Sequence, residues 1–263
     1  MDYDFSMAWH DDPKHPFAGI AEKLKRADEN IAYLHGEIGR FFDGCKYPVI
    51  PYIDGQEWED AINYHASLAI PIAFSVLCGE IIHHMRSCLD HIAWHFSSAQ
   101  YRREHDSRIE FPIYRDKPLT KDQIARYNGK VEGITKPRVR ELIEELQPYH
   151  RGSDAINHPL CIIHDMDRFD KHRELMMISS CIHWTVPGAT IADIVAAMRQ
   201  NEGKPLTPEE QTRAERTLQM ETKISPQVAF VQFGNRQREP IIPSLKQLQD
   251  IVDRTVNIFA AQV

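Results

Sequence analysis

From about Pro16 to Asp43, apolar side chains recur every three or four residues: Ile20, Leu24, Ala27, Ile31, Leu34, Ile38 and Phe41. An α-helix, turning about 100° per residue, gathers such a series onto one face. A single apolar stripe has nothing to bury against, so a chain that opens on one must supply further elements with matching faces. The later sequence does so. Pro71 opens a long helical pattern running to about Gln100, and Pro137 to Gln147 and Pro159 to about Arg173 read as two more helices. Thr120-x-x-Gln123 and Ser244-x-x-Gln247 have the form of capping boxes. The second opens a stripe of Leu245, Leu248, Val252, Thr255 and Phe259. Thr207-x-x-Glu210 starts a charged helix to about Met220.

Strands fill less of the chain. Asp54-Gly55, a favoured two-residue turn, separates Tyr47–Ile53 from Glu57–Leu68 and reads as a β-hairpin. Leu175 to Val186 and Val228 to Phe233 read as short strands. Helices and strands do not alternate strictly. The expected fold class is therefore α+β, predominantly α: a helical-bundle core with a β-hairpin and a few short additional strands. The expected organisation is a mobile N-terminal arm over 1–15, rich in Asp, His and Pro, then one helical-core domain over 16–263 with strand insertions.

Composition narrows the function classes. The longest apolar run, Leu68 to Leu77, is about half the span a bilayer requires, and the first residues lack the apolar core of a signal peptide. A cytoplasmic protein with no membrane partner is expected. The five cysteines, never spaced C-x-x-C, read as free thiols. A net charge of −7 disfavours a surface built mainly for nucleic acid, although a local basic pocket is compatible with it. Neither a P-loop nor a G-x-G-x-x-G is present, and no cofactor is implied.

The most chemically loaded segment is the helix from Pro71. His84, Cys88, His91 and His95 fall at i, i+4, i+7 and i+11 on one stripe; Cys78, Ile81, Ile82, Met85, Leu89 and Phe96 form the adjoining apolar face. His83, Arg86 and Asp90 lie on a third sector, the last two spaced for an ion pair. Three readings stay open. The charged groups are polar contacts to neighbouring helices, or His84, Cys88, His91 and His95 bind a metal, or Arg86 and His91 act together on a phosphate. No H-E-x-x-H motif supports the metal.

Arg86-Ser-Cys-Leu-Asp-His91 resembles the motif of the HEPN superfamily, arginine and histidine separated by four to six residues, with Ser87 matching the polar residue that follows the arginine. HEPN proteins are small helical bundles that include many metal-independent ribonucleases of toxin and defence systems. The resemblance implies a homodimer acting on RNA or a small phosphate-bearing ligand. Arg86 would then steady the phosphate, His91 would act as general acid or base, and Asp90 would lie beside them. Residues i and i+5 are about 140° apart around a helix, so both side chains reach one pocket only along its wall. The wording GEIIHHMRSCLDHIAW, FPIY and DRFDKHREL also resembles a group of uncharacterised bacterial proteins.

A second cluster spans His164 to Arg173. Asp167 and Lys171 are spaced as an ion pair, and Lys171, His172 and Arg173 suit a helix C-terminus. Asp170, Lys171, His172 and Arg173 are also candidates for an anion-binding set, if they face the Arg86/Asp90/His91 sector. Two functions compete on these grounds. One is a HEPN-like metal-independent endoribonuclease or phosphate-handling protein; the other is a non-catalytic helical module that binds a protein or small anion, its charged clusters structural.

Overall fold

A computed structural model describes residues 9–48, 50–51, 56–172, 178–185 and 223–263. Helix α1 covers Ala18–Asp43, followed by β1 (Ile50–Pro51), α2 (Gln56–Ser67) and α3 (Ile72–Phe96). Then come α4 (Ala99–His105), α5 (Lys121–Val131), α6 (Pro137–Glu145) and α7 (Pro159–His172). Strands β2 (Ile178–Thr185), β3 (Lys223–Phe233) and β4 (Arg236–Pro240) precede the last helix, α8 (Ile241–Ala260). The fold is α+β and mainly α, as the periodicity requires.

The described residues fall into two compact units where one domain was expected. Of these, the first takes 9–35, 71–172 and 230–263, and the second 36–48, 50–51, 56–70, 178–185 and 223–229. In the first unit α3 is the central helix. Cys78, Ile81, Ile82, Met85, Cys88, Leu89 and Ile92 are fully buried on it. Helix α3 packs on α7, whose Ile163 is buried, and on α8, whose Leu245, Val252 and Phe259 are buried. Each such side chain contributes about 1.5–3 kcal/mol on leaving water. The Cys88 thiol donates to the Ile20 carbonyl at 3.8 Å, which places α1 against α3. In the same unit the end of β3 turns through Gly234, with φ +62°, into β4.

In the second unit the strand order is β1-β3-β2, with Ile50 antiparallel to Ile224 and Pro51 to Lys223. This corrects the expected hairpin: Glu57–Leu68 is mostly helix α2, and β1 finds its partner far along the chain. Asp54-Gly55 lies outside the described residues. The physical reason is visible in the burial pattern: Ala61 and His65 are buried while Asn63 between them is exposed, which a strand's two-residue alternation forbids and a helix turn allows. The His65 ring bonds the Tyr47 carbonyl at 2.8 Å through Nε2.

Three further expectations change. Within the supposed arm, Trp9 donates its indole N–H to Asn257 at 2.8 Å, and His10 lies 3.8 Å from Asp253. An aromatic side chain with a polar edge thus ties residues 9–15 to α8, and 1–8 lie outside the described residues. Helix α8 begins at Ile241, so Ser244 is a buried residue inside it and no capping box forms there. Pro243 falls in the first turn, where its missing N–H has no helical acceptor to lose. The long helix stops at Phe96, and Ser98 caps a separate short helix by accepting from the Tyr101 N–H at 3.1 Å. The Thr120/Gln123 box forms as its spacing dictates and opens α5. The charged helix expected over Thr207–Met220 lies outside the described residues. No single described helix is long and apolar enough to cross a membrane.

Candidate anion site and its supporting clamp

Arg86 is only 3% exposed, while Asp90, one helical turn on, is 33% exposed; Nη2 lies 2.9 Å from Oδ1. The pair closes on the backbone of one residue outside the helix. Asp90 accepts from the Phe111 N–H at 2.9 Å, and Arg86 donates to the Phe111 carbonyl at 3.0 Å. Phe111 therefore has both its backbone groups satisfied by side chains, as a neighbouring strand would satisfy them. Burial pushes the Asp90 carboxyl above its usual range, against the downward pull of Arg86. Arg86 Nη1 is buried without a hydrogen-bond partner among the described residues.

Gln147 completes this clamp. It is buried, and its amide donates to the carbonyls of Pro112 at 2.9 Å and Ile143 at 2.8 Å. Its oxygen accepts from the Tyr114 N–H at 3.0 Å. The extended segment 111–114 is thus held without a sheet, by α3 on one side and the end of α6 on the other. Its continuation forms the wall of a cavity.

That cavity, about 330 Å³, lies between residues 113–118, α5 and α7. Arg115, Arg126 and Arg168 line it with His164, opposed by Asp116 and Asp165. Asp165 holds two of the arginines, Arg115 at 2.7 Å and Arg168 at 3.5 Å. Arg126 comes from the exposed side of α5 and pairs with no carboxylate among the described residues. Burial lowers the His164 pKa, and the Arg86 charge lowers it further.

The two charge clusters do meet. Helices α3 and α7 run antiparallel: the His83 ring is 3.1 Å from Asp167, which Lys171 also reaches at 2.8 Å. Gly79 faces Asp170 so closely that a Cβ there would come within about 2.5 Å of its carboxylate. Arg86 consequently stands level with His164, and Asp170 lies about 9 Å further along α7, six residues at about 1.5 Å each. Asp170 is therefore set against Gly79 rather than Arg86. Lys171 is taken by Asp167, the His172 side chain and Arg173 lie outside what is described, and the part of the cluster that reaches the Arg86 level is its beginning.

The histidine stripe has another environment. His91 is exposed, and partial burial followed by Lys23 of α1 lowers its pKa; Arg86 turns the other way, toward Phe111. His84 is likewise lowered, by burial and then Lys23, and His95 stands edge-on to Phe17 at 5.2 Å. Cys88 is buried, its thiol pushed up to about 12 by desolvation. Among the described residues no group of three or more histidines, cysteines and carboxylates could hold a metal.

Sequence reading finds the Arg86–Asp90 and Asp167–Lys171 pairs but not Gln147, Arg115 or Arg126. Those residues share no spacing, because separate segments bring them together. No protein-family model, no curated protein and no solved structure matches the chain.

Proposed function

We propose that this chain binds a small phosphate-bearing anion in the cavity between α5, α7 and residues 113–118. Arg86 and Asp90 act there as positioning residues. The observation that carries this reading is the lining itself: three guanidinium groups and an imidazole converge on a space that holds two opposing carboxylates. Guanidinium forks match phosphate oxygens bidentately, and a volume of this size admits a small molecule rather than a helix. Arg126 is the cation with charge to spare. Arg115 and Arg168 share Asp165, and a phosphate would draw them from it.

The Arg86/His91 nuclease expectation draws less support, since the two side chains leave α3 on different sides and Arg86 is committed to the Phe111 backbone. Calorimetric titration of the full chain with inorganic phosphate at low salt tests the proposal. Binding should weaken about tenfold or more in Arg126→Ala, the value of one charge-assisted hydrogen bond of about 1.5–3 kcal/mol. Absence of binding to the wild type, or equal affinity in the variant, would refute it.

A further inference from the structure

A second cavity, about 490 Å³, adjoins the first and has the opposite character. Ile156, Ile162, Met166, Phe169 and Val231 line it, together with Gly234 at the β3–β4 turn. Of these side chains only Ile162 is fully buried; the others keep part of their apolar surface exposed within a concavity. The turn is seated firmly: the Asn235 N–H donates to Asn157 Oδ1 at 3.1 Å, and a Cβ on Gly234 would come within 2.7 Å of that same oxygen. The turn therefore gives the cavity a fixed wall.

Arg115 and Asp165 line both cavities, and their ion pair at 2.7 Å stands at the boundary. Asp165 also receives the Cys161 thiol at 3.7 Å. A charged pair that divides an arginine-lined space from an apolar one presents two chemistries to a single occupant.

We infer that the ligand is amphiphilic, with an anionic head among Arg115, Arg126 and Arg168 and an aliphatic or aryl tail in the cavity of Met166, Phe169 and Val231. This rests on the anion-binding reading above and specifies its ligand. The head competes with Asp165 for Arg115, so the boundary pair opens as the ligand settles. The tail excludes water from the apolar walls, and each cavity lies within the range of about 300–1,000 Å³ usual for small-molecule sites.

The test is a titration of the full chain with inorganic phosphate and with ethyl, butyl and hexyl phosphate, with hexanol as the uncharged control. Affinity should rise along the series by up to about fourfold for each methylene buried, and hexanol should bind at least tenfold more weakly than hexyl phosphate. Met166→Trp, its helicity checked by circular dichroism, should abolish the gain with chain length and leave inorganic phosphate binding unchanged. Phosphate binding with no dependence on chain length would overturn the amphiphile and leave the anion site standing. Hexanol binding as tightly as hexyl phosphate would also overturn it. Failure of every phosphate would remove the anion site and this inference with it. The wild-type series decides the matter even if Met166→Trp does not fold.

Discussion

Replacing Asp90 by alanine should cost more stability than replacing Arg86 by methionine, although the two residues form one ion pair. The asymmetry follows from exposure: the guanidinium is 3% exposed and the carboxylate 33%. Without Asp90, a buried cation loses its counter-charge, and the Phe111 N–H loses its acceptor. Breaking a buried pair from that side costs about 3–5 kcal/mol. Without Arg86, the carboxylate turns toward water and keeps its bond to Phe111, and the main loss is the donor to the Phe111 carbonyl. An orphaned buried acceptor costs about 1–3 kcal/mol. The double variant Arg86→Met/Asp90→Leu should cost less than the two single changes added, by at least about 1 kcal/mol, because the stranded charge is gone. Urea unfolding followed by circular dichroism reads all three. Equal or reversed costs for the single changes, or strict additivity, would refute the clamp.

Gly79→Ala should destabilise by about 1–3 kcal/mol, because its methyl would strike the Asp170 carboxylate; Gly129→Ala, with nothing within 4 Å, should leave thermal stability unchanged or raise it. Gln147→Leu strands the Tyr114 N–H and the Pro112 carbonyl and should both lower the unfolding midpoint and weaken phosphate binding. His158 accepts from the Leu160 N–H at 3.2 Å, and burial, then Arg151, hold its pKa down at about 4. The unfolded chain binds that proton more readily, so stability should fall as pH drops from about 6.5 toward 4, and His158→Asn should flatten the dependence in pH-resolved urea midpoints. His91→Ala, at an exposed position, should change stability by no more than about 0.5 kcal/mol and leave phosphate binding intact. A nuclease centred on Arg86 and His91 would instead show RNA cleavage in EDTA that this substitution abolishes.

Elements whose signals are local were legible in the sequence. The stripe from Ile20 to Phe41 folds as α1, and Thr120 and Gln123 cap α5 through bonds four residues apart at most. Signals that a partner can override misled. Asp-Gly at 54–55 indicates a turn but not which segments pair across it, and β1 pairs with β3 instead. Ser244 carries the chemistry of a cap, yet the cap position falls four residues earlier, at Pro240, and the helix starts at the buried Ile241. The candidate site was least visible. The Arg86–Asp90 spacing reveals an ion pair, but its purpose is to hold Phe111, some twenty residues away. The cavity arginines come from three segments and meet only when α7 packs against α3 and the clamp fixes 111–114.

Anion binding beside His164 is read most directly by an NMR titration of the histidine rings against pH, with and without inorganic phosphate. His164 is faced by Arg86 from α3, by Arg168 and Asp165 from its own helix, and by Glu110. Burial and the arginines hold its pKa below 6.5, so an anion in the cavity should raise it, and phosphate should bind more tightly as pH falls through that interval. Phosphate in the cavity should shift His164 upward and leave His84, His91 and His95 unchanged. A shift confined to those three α3 histidines, or none at His164, would contradict anion binding there.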